Sequence, residues 1–203
     1  MREKKTGDAV QKTLERFSDK MTTAGEAVSV VKSGDRVFVG TACATPRTLI
    51  SALEVLEKKL ADVQLFYFLT SDALPLREGV PYTRFHHRSF FVGSDNREIV
   101  NRGDADYVPI SLPQACALIN NGRLTPDVAL IQVSLPDEYG HVSLGISVDL
   151  TRTAVENAKI VVAEINPNMP WTIGDTFIPV DRIDHMVLVD TPVTVFWNVD
   201  KAN

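Results

Sequence analysis

Two mostly apolar runs, VALIQV at 128–133 and IVVAEI at 160–165, each with a single polar residue, constrain the fold most. Both are short, rich in β-branched residues and bounded by polar or turn-forming residues, the pattern of strands buried on both faces. The stretch between them ends in LTRTAVENA (150–158), which reads as a helix. A strand–helix–strand order requires a crossover and gives parallel pairing. RVFVG (36–40) and VQLFYFL (63–69) add two more buried strands, and HMVLVD (185–190) and VTVFW (193–197) two further ones, separated by a turn at Thr191–Pro192.

Helices are expected over 7–20, where Val10, Leu14 and Phe17 fall at helical spacing, and over 113–121. Thr23 with Glu26, and Ser111 with Gln114, have capping-box spacing. Gly34 reads as the stop of the short helix behind Thr23. Thr45 and Pro46 read as the cap and first position of a helix running through TLISALEVLEKKL. Residues 70–96, with Pro75, Gly79 and Pro81, suggest loops with short strands. The sum is one α/β domain over 1–203: an open, mostly parallel sheet with helices on both faces. There is no internal repeat, low-complexity segment or interdomain linker.

Hydrophobic residues make up 44% and charged residues 23% of the 203, an ordinary globular composition. A net charge of −5 disfavours nucleic acid and anionic membrane as partners. No apolar run reaches the roughly 18 residues of a membrane span, and the charged N-terminus MREKKTGDAVQK is no secretory signal, so a cytoplasmic location is expected. Cys43 and Cys116 are widely spaced, which argues against a zinc site or disulfide framework; no metal is expected.

Four stretches could carry chemistry. GTACATP (40–46) joins a strand to a Pro-started helix; its small residues either let a ligand reach backbone amides or solve the packing of a tight turn. It lacks the spacing of a Walker or Rossmann fingerprint. QVSLPDEYGHVSLGISVD (132–149) is a long polar excursion with Asp137, Glu138, Tyr139 and His141, read either as a functional loop or as a hairpin with a turn at Asp137–Gly140. EINPNMP (164–170) follows a strand; Glu164 invites a perturbed carboxylate or a simple pairing with Arg, and Asn166 an outward-facing amide donor. In FHHRSFFVG (85–93), adjacent His86 and His87 point to opposite faces of a strand and cannot alone hold a metal, while Phe90–Phe91 reads as core. Arg88 and Arg97 either contact a phosphate or pair with acids. Cys43, beside a helix N-terminus, is a conceivable nucleophile with His86, His87 or His141 as base, although most free cysteines are buried and inert.

Taken as a set, QVSLPDEYGHVSLGISVD, VVAEINPNMPWTIGDTFIPVDRIDHMV, FFVGSDNREIVNRGDADYVPISL (90–112) and SGDRVFVGTACATPRTLISAL (33–53) resemble the acetyl-CoA hydrolase/transferase family, which includes the 4-hydroxybutyrate, succinyl and acetate CoA-transferases. The resemblance covers nearly all of the chain after about residue 20. It implies a NagB/RpiA/CoA-transferase-like fold and the N-terminal domain of a two-domain enzyme. The implied substrates are coenzyme A, acyl-CoA and small carboxylic acids, without a tightly bound cofactor. It also implies a homodimer, and a nucleophilic glutamate in a C-terminal domain that this sequence lacks. Matching positions for the pocket wall are Gly40, Thr41, Ala42 and Pro46, then Gln132 and Ser134, then Asn166, Met169 and Pro170. Thr41 departs from relatives that carry His after the first-loop glycine. Two other readings stand beside this one: a non-catalytic module that binds CoA or a small metabolite, and a self-contained thioester hydrolase using Cys43 or Glu164.

Overall fold

A computed structural model describes residues 2–71 and 85–195. In chain order these form α1 (Arg2–Arg16), α2 (Ala24–Val28), β1 (Arg36–Val39), α3 (Arg47–Leu56), β2 (Val63–Tyr67), β3 (Phe85–Ser89), α4 (Arg97–Arg102), β4 (Ala105–Tyr107), α5 (Leu112–Asn120), β5 (Val128–Val133), β6 (His141–Ser143), α6 (Thr151–Asn157), β7 (Ile160–Ile165), β8 (Phe177–Pro179) and β9 (His185–Leu188).

Seven strands make one sheet in the order β4-β3-β2-β1-β5-β7-β9, and every neighbouring pair is parallel. The short strands β6 and β8 form a separate antiparallel ribbon. The expected open, mostly parallel architecture is therefore present. Alternation along β5 shows why both faces need cover: Ala129, Ile131 and Val133 enter one core with α5 and α6, while Val128 and Leu130 enter another with α2 and α3. Burying one such aliphatic side chain contributes about 1.5–3 kcal/mol, so neither face could be left in water.

From β1 the chain runs outward through β2, β3 and β4, then returns to place β5 on the other side of β1. The strand order reverses between β1 and β5, the crevice where open α/β sheets take their ligands. Because β1, β5 and β7 are adjacent and parallel, the loops after Val39, Val133 and Ile165 emerge side by side at one sheet edge.

Several local expectations shift. Pro46 is the residue before the helix rather than its first position, and Thr45 does not cap it. A 3-10 turn at Ala42–Ala44 takes up the approach, and the Thr45 hydroxyl donates to the Ala42 carbonyl at 2.6 Å. Ser29 caps α2, and Gly34 (φ +85°) lies further along in a turn bonded to Ala61. Both capping boxes form. Residues 193–195 of the expected last strand lie outside any strand, and 196–197 fall outside the described residues, as do 72–84. The far edge of β9 is covered instead by residues 20–22: Met186 N–H donates to Lys20, and Thr22 N–H to Met186.

Candidate active site

The first loop begins where the β1–β5 ladder ends. Gly40 N–H still donates to the Leu130 carbonyl at 2.8 Å. A Cβ here would lie 3.2 Å from Leu130 O, 3.3 Å from Ala44 O and 3.3 Å from Pro46 Cδ. The glycine thus answers a close approach of the protein's own backbone. Ala42 adopts a left-handed φ of +49°, and its amide donates to Leu69 O at 2.7 Å. The amides of Ala44 and Thr45 close the 3-10 turn. Thr41, fully buried, donates its hydroxyl to the Asp149 carboxylate, tying this loop to the end of the second one.

The N-terminus of α3 is already occupied. Glu164, at 1% exposure, accepts the Leu49 amide at 2.8 Å and also the Thr48 amide. These are the second and third helical positions, whose N–H groups have no partner within the helix. Gln132 Nε2 donates at 3.2 Å both to the other carboxylate oxygen and to the Thr45 carbonyl. Burial pushes the Glu164 carboxyl up to about 7; the helix amides, the Arg47 charge and Gln132 pull the other way without cancelling it. The expected pairing with Arg is replaced by a carboxylate seated on a helix end, and the Arg47 guanidinium donates to Pro192 O instead.

Asn166, with no exposed surface, turns its amide inward rather than outward. It donates to Gln132 Oε1 at 3.1 Å and to Thr191 O at 2.9 Å, and its oxygen accepts the Asn168 amide. Asn168 reaches on to Asp190 at 2.7 Å. Met169 is buried against Gly145 (φ +64°), where a Cβ would strike the methionine sulfur. Pro170 is exposed, and beside it Trp171 packs on Phe177 with centroids 5.2 Å apart. Ser134 anchors the root of β6 by exchanging bonds with Ser143. Asp137 does form a turn: its carboxylate accepts the Tyr139 and His141 amides.

Gly40, Thr41, Ala42, Pro46, Asn166, Met169 and Pro170 therefore sit on the first and third of the adjoining loops, with Gln132 near the end of β5 and Ser134 at the base of the second loop. Most are buried and hold one another; Ala42 and Pro170 present surface. The histidines do not gather round Cys43. His86 is exposed beside Asp62 near the amino end of its strand, and His141 lies beside Asp137. His87 is buried against Tyr67, where desolvation lowers it to about 4. Among the described residues no hydrogen bond joins Cys43 to a histidine. Arg88 pairs with Gln64 and Asp106, Phe90 is core, and Phe91 is half-exposed on Phe68. Asp149, Asp190 and Thr191 are parts of this edge that sequence reading passes over, because their partners lie on other loops.

Residues 5–197 match the acetyl-CoA hydrolase/transferase N-terminal domain. The chain belongs to that family. It is 38% identical over 177 residues to a 4-hydroxybutyrate coenzyme A transferase of Clostridium kluyveri, covering 87% of this chain and 41% of the relative. A succinyl-CoA:acetate/propanoyl-CoA:succinate CoA transferase of Fasciola hepatica is 37% identical, with 80% of this chain and 34% of the relative covered. Among solved structures, RipA of Yersinia pestis superposes with a TM-score of 0.84 at 27% identity, over 94% of this chain and 47% of RipA. A 4-hydroxybutyrate CoA-transferase of Porphyromonas gingivalis gives 0.69 at 28% identity, over 89% and 42%. The chain thus spans less than half the length of these relatives.

Proposed function

We propose that this acetyl-CoA hydrolase/transferase family chain is a single N-terminal domain of an enzyme that moves coenzyme A between short-chain acyl-CoA and carboxylic acids. The nucleophilic glutamate lies in a second domain. In this reading a carboxylate oxygen attacks the thioester carbonyl and expels CoA thiolate, leaving an acyl anhydride. The thiolate attacks the glutamyl carbonyl, releases the first acid and forms a glutamyl-CoA thioester. An incoming carboxylate reverses both steps and leaves as a new acyl-CoA; water in its place gives hydrolysis. Each attack builds an oxyanion that fixed donors in the assembled site must stabilise.

The observation that carries the reading is the convergence of the three motif-bearing loops at the β1–β5 switch point. Gly40, Thr41, Ala42, Pro46, Gln132, Ser134, Asn166, Met169 and Pro170 shape the acyl side of the pocket, the buried ones by holding the loops and Ala42 and Pro170 by contact. CoA and acyl-CoA are substrates rather than resident cofactors, and the working enzyme is a cytoplasmic homodimer. The test is CoA exchange between acetyl-CoA and butyrate, succinate or 4-hydroxybutyrate, using the protein expressed from the full extent of its gene. Borohydride trapping of the thioester locates the nucleophile. Exchange with a label outside 1–203 supports the reading; absence of exchange with every acid, or a label on Glu164 or Cys43, overturns it.

A further inference from the structure

Glu164 is the penultimate residue of β7, 1% exposed, and its neighbours are organised around it. Both carboxylate oxygens accept: one from Leu49 N–H at 2.8 Å, the other from Gln132 Nε2 at 3.2 Å, with the Thr48 amide as a further donor. Gln132 also holds the Thr45 carbonyl, the last residue but one before α3, and accepts from Asn166, which in turn holds Thr191 O. The set connects the first loop, β5, the third loop and the segment after β9 without reaching solvent: Gln132 is 3% exposed and Asn166 not at all. α3 has no side-chain cap of its own; Pro46 at that position offers none. The carboxylate from β7 does the work a local Ser or Asp does elsewhere.

We propose that Glu164, bracketed by Gln132 and Asn166, is a positioning residue that fixes the N-terminus of α3 and with it the 40–46 loop in the geometry CoA transfer requires. This rests on the CoA-transfer reading for its catalytic consequence, not for the bracket itself. Every group that meets Glu164 is a donor, so the ionised acceptor-only form fits the bracket and protonation removes one acceptor. Arg47 on α3 is the charge that acts on it, and its β5 and β9 neighbours across the sheet, Gln132 and Val187, are neutral. An internal cap that titrates near neutrality makes loop geometry depend on pH, which a plain hydrophobic contact would not.

The experiment follows amide resonances and amide exchange of the 1–203 chain by NMR between pH 5.5 and 8.5. The Thr48 and Leu49 amides are expected to shift with a midpoint near 7. In Glu164→Gln that titration disappears, and their exchange rises roughly tenfold or more for the loss of a charge-assisted bond, with the β5 amides unchanged. A titration that persists in Glu164→Gln, or Thr48 and Leu49 amides that exchange no faster in that variant, overturns the bracket; if the variant does not fold, the parent decides it, because amides exchanging there as freely as those of an uncapped helix start overturn it. In the full-length protein, Glu164→Gln should lower kcat about tenfold with KM for acyl-CoA within about twofold and remove the pH limb near neutrality. Full kcat with the amides altered overturns the catalytic part. A parent protein without CoA exchange overturns the functional reading and leaves the amide data to judge the bracket.

Discussion

Glu164 has a consequence for stability separate from its effect on the first loop. Its carboxyl sits at about 7 in the folded chain against 4.5 for an ordinary glutamate, so the folded state binds the proton more tightly between those values. Stability from this group is fully present below about pH 4.5, declines as pH rises through 7 and levels off above. A shift of that size corresponds to about 3 kcal/mol. Thermal or urea unfolding of 1–203 between pH 5 and 8 should show the decline, and Glu164→Gln should flatten it. Asp127, held low by the Arg36 amide and Lys159, loses its contribution only in more acid solution, so the two windows do not overlap. At Gly40 the contacts at 3.2–3.3 Å come from the chain's own Leu130, Ala44 and Pro46. Gly40→Val should therefore lower stability by about 1–3 kcal/mol, and a variant that melts like the parent would show that the loop yields freely. Asn166→Ala strips partners from Gln132 and Thr191, at about 1–3 kcal/mol for buried groups left unpaired; this is read as a lowered denaturation midpoint.

The elements meeting at this edge differ in how they are held. α2 and α5 start from capping boxes written in four consecutive residues, whereas α3 starts from a carboxylate 115 residues away in sequence. The third loop is locked onto the second by Met169 lying on Gly145, which needs a left-handed φ of +64° and tolerates no Cβ. Gly145→Ala forces both a disfavoured backbone and displacement of the methionine. A loss on the order of 2–3 kcal/mol is expected, seen as a lower urea midpoint with an unchanged slope. An unchanged midpoint would mean that the two loops are not coupled through this contact.

At the scale of the molecule, the proposed reading gives the 1–203 chain one wall of the pocket and no nucleophile. Purified alone it should turn over acetyl-CoA with short acids far more slowly than the order of 1 per second typical of enzymes; turnover at that level would place the nucleophile within these residues. The division between sequence and structure follows the range of the interactions. VALIQV and IVVAEI announce β5 and β7 to the residue because a strand covered on both faces must be largely apolar, and Thr23–Glu26 and Ser111–Gln114 announce helix starts because a cap and its donor are three residues apart. The alternation of those elements was enough to imply a parallel sheet, and hence one edge for the three loops. Short strands such as β4, β6 and β8 carry too few residues to show a period, and the register of the ladder decides them. Which polar groups satisfy one another was likewise decided only by tertiary structure. Glu164 meets the α3 amides, Thr41 meets Asp149, and Asn166 turns inward to Gln132 because adjacent parallel strands bring distant positions together in a space closed to water. There a buried donor or acceptor must take whatever partner the packing supplies.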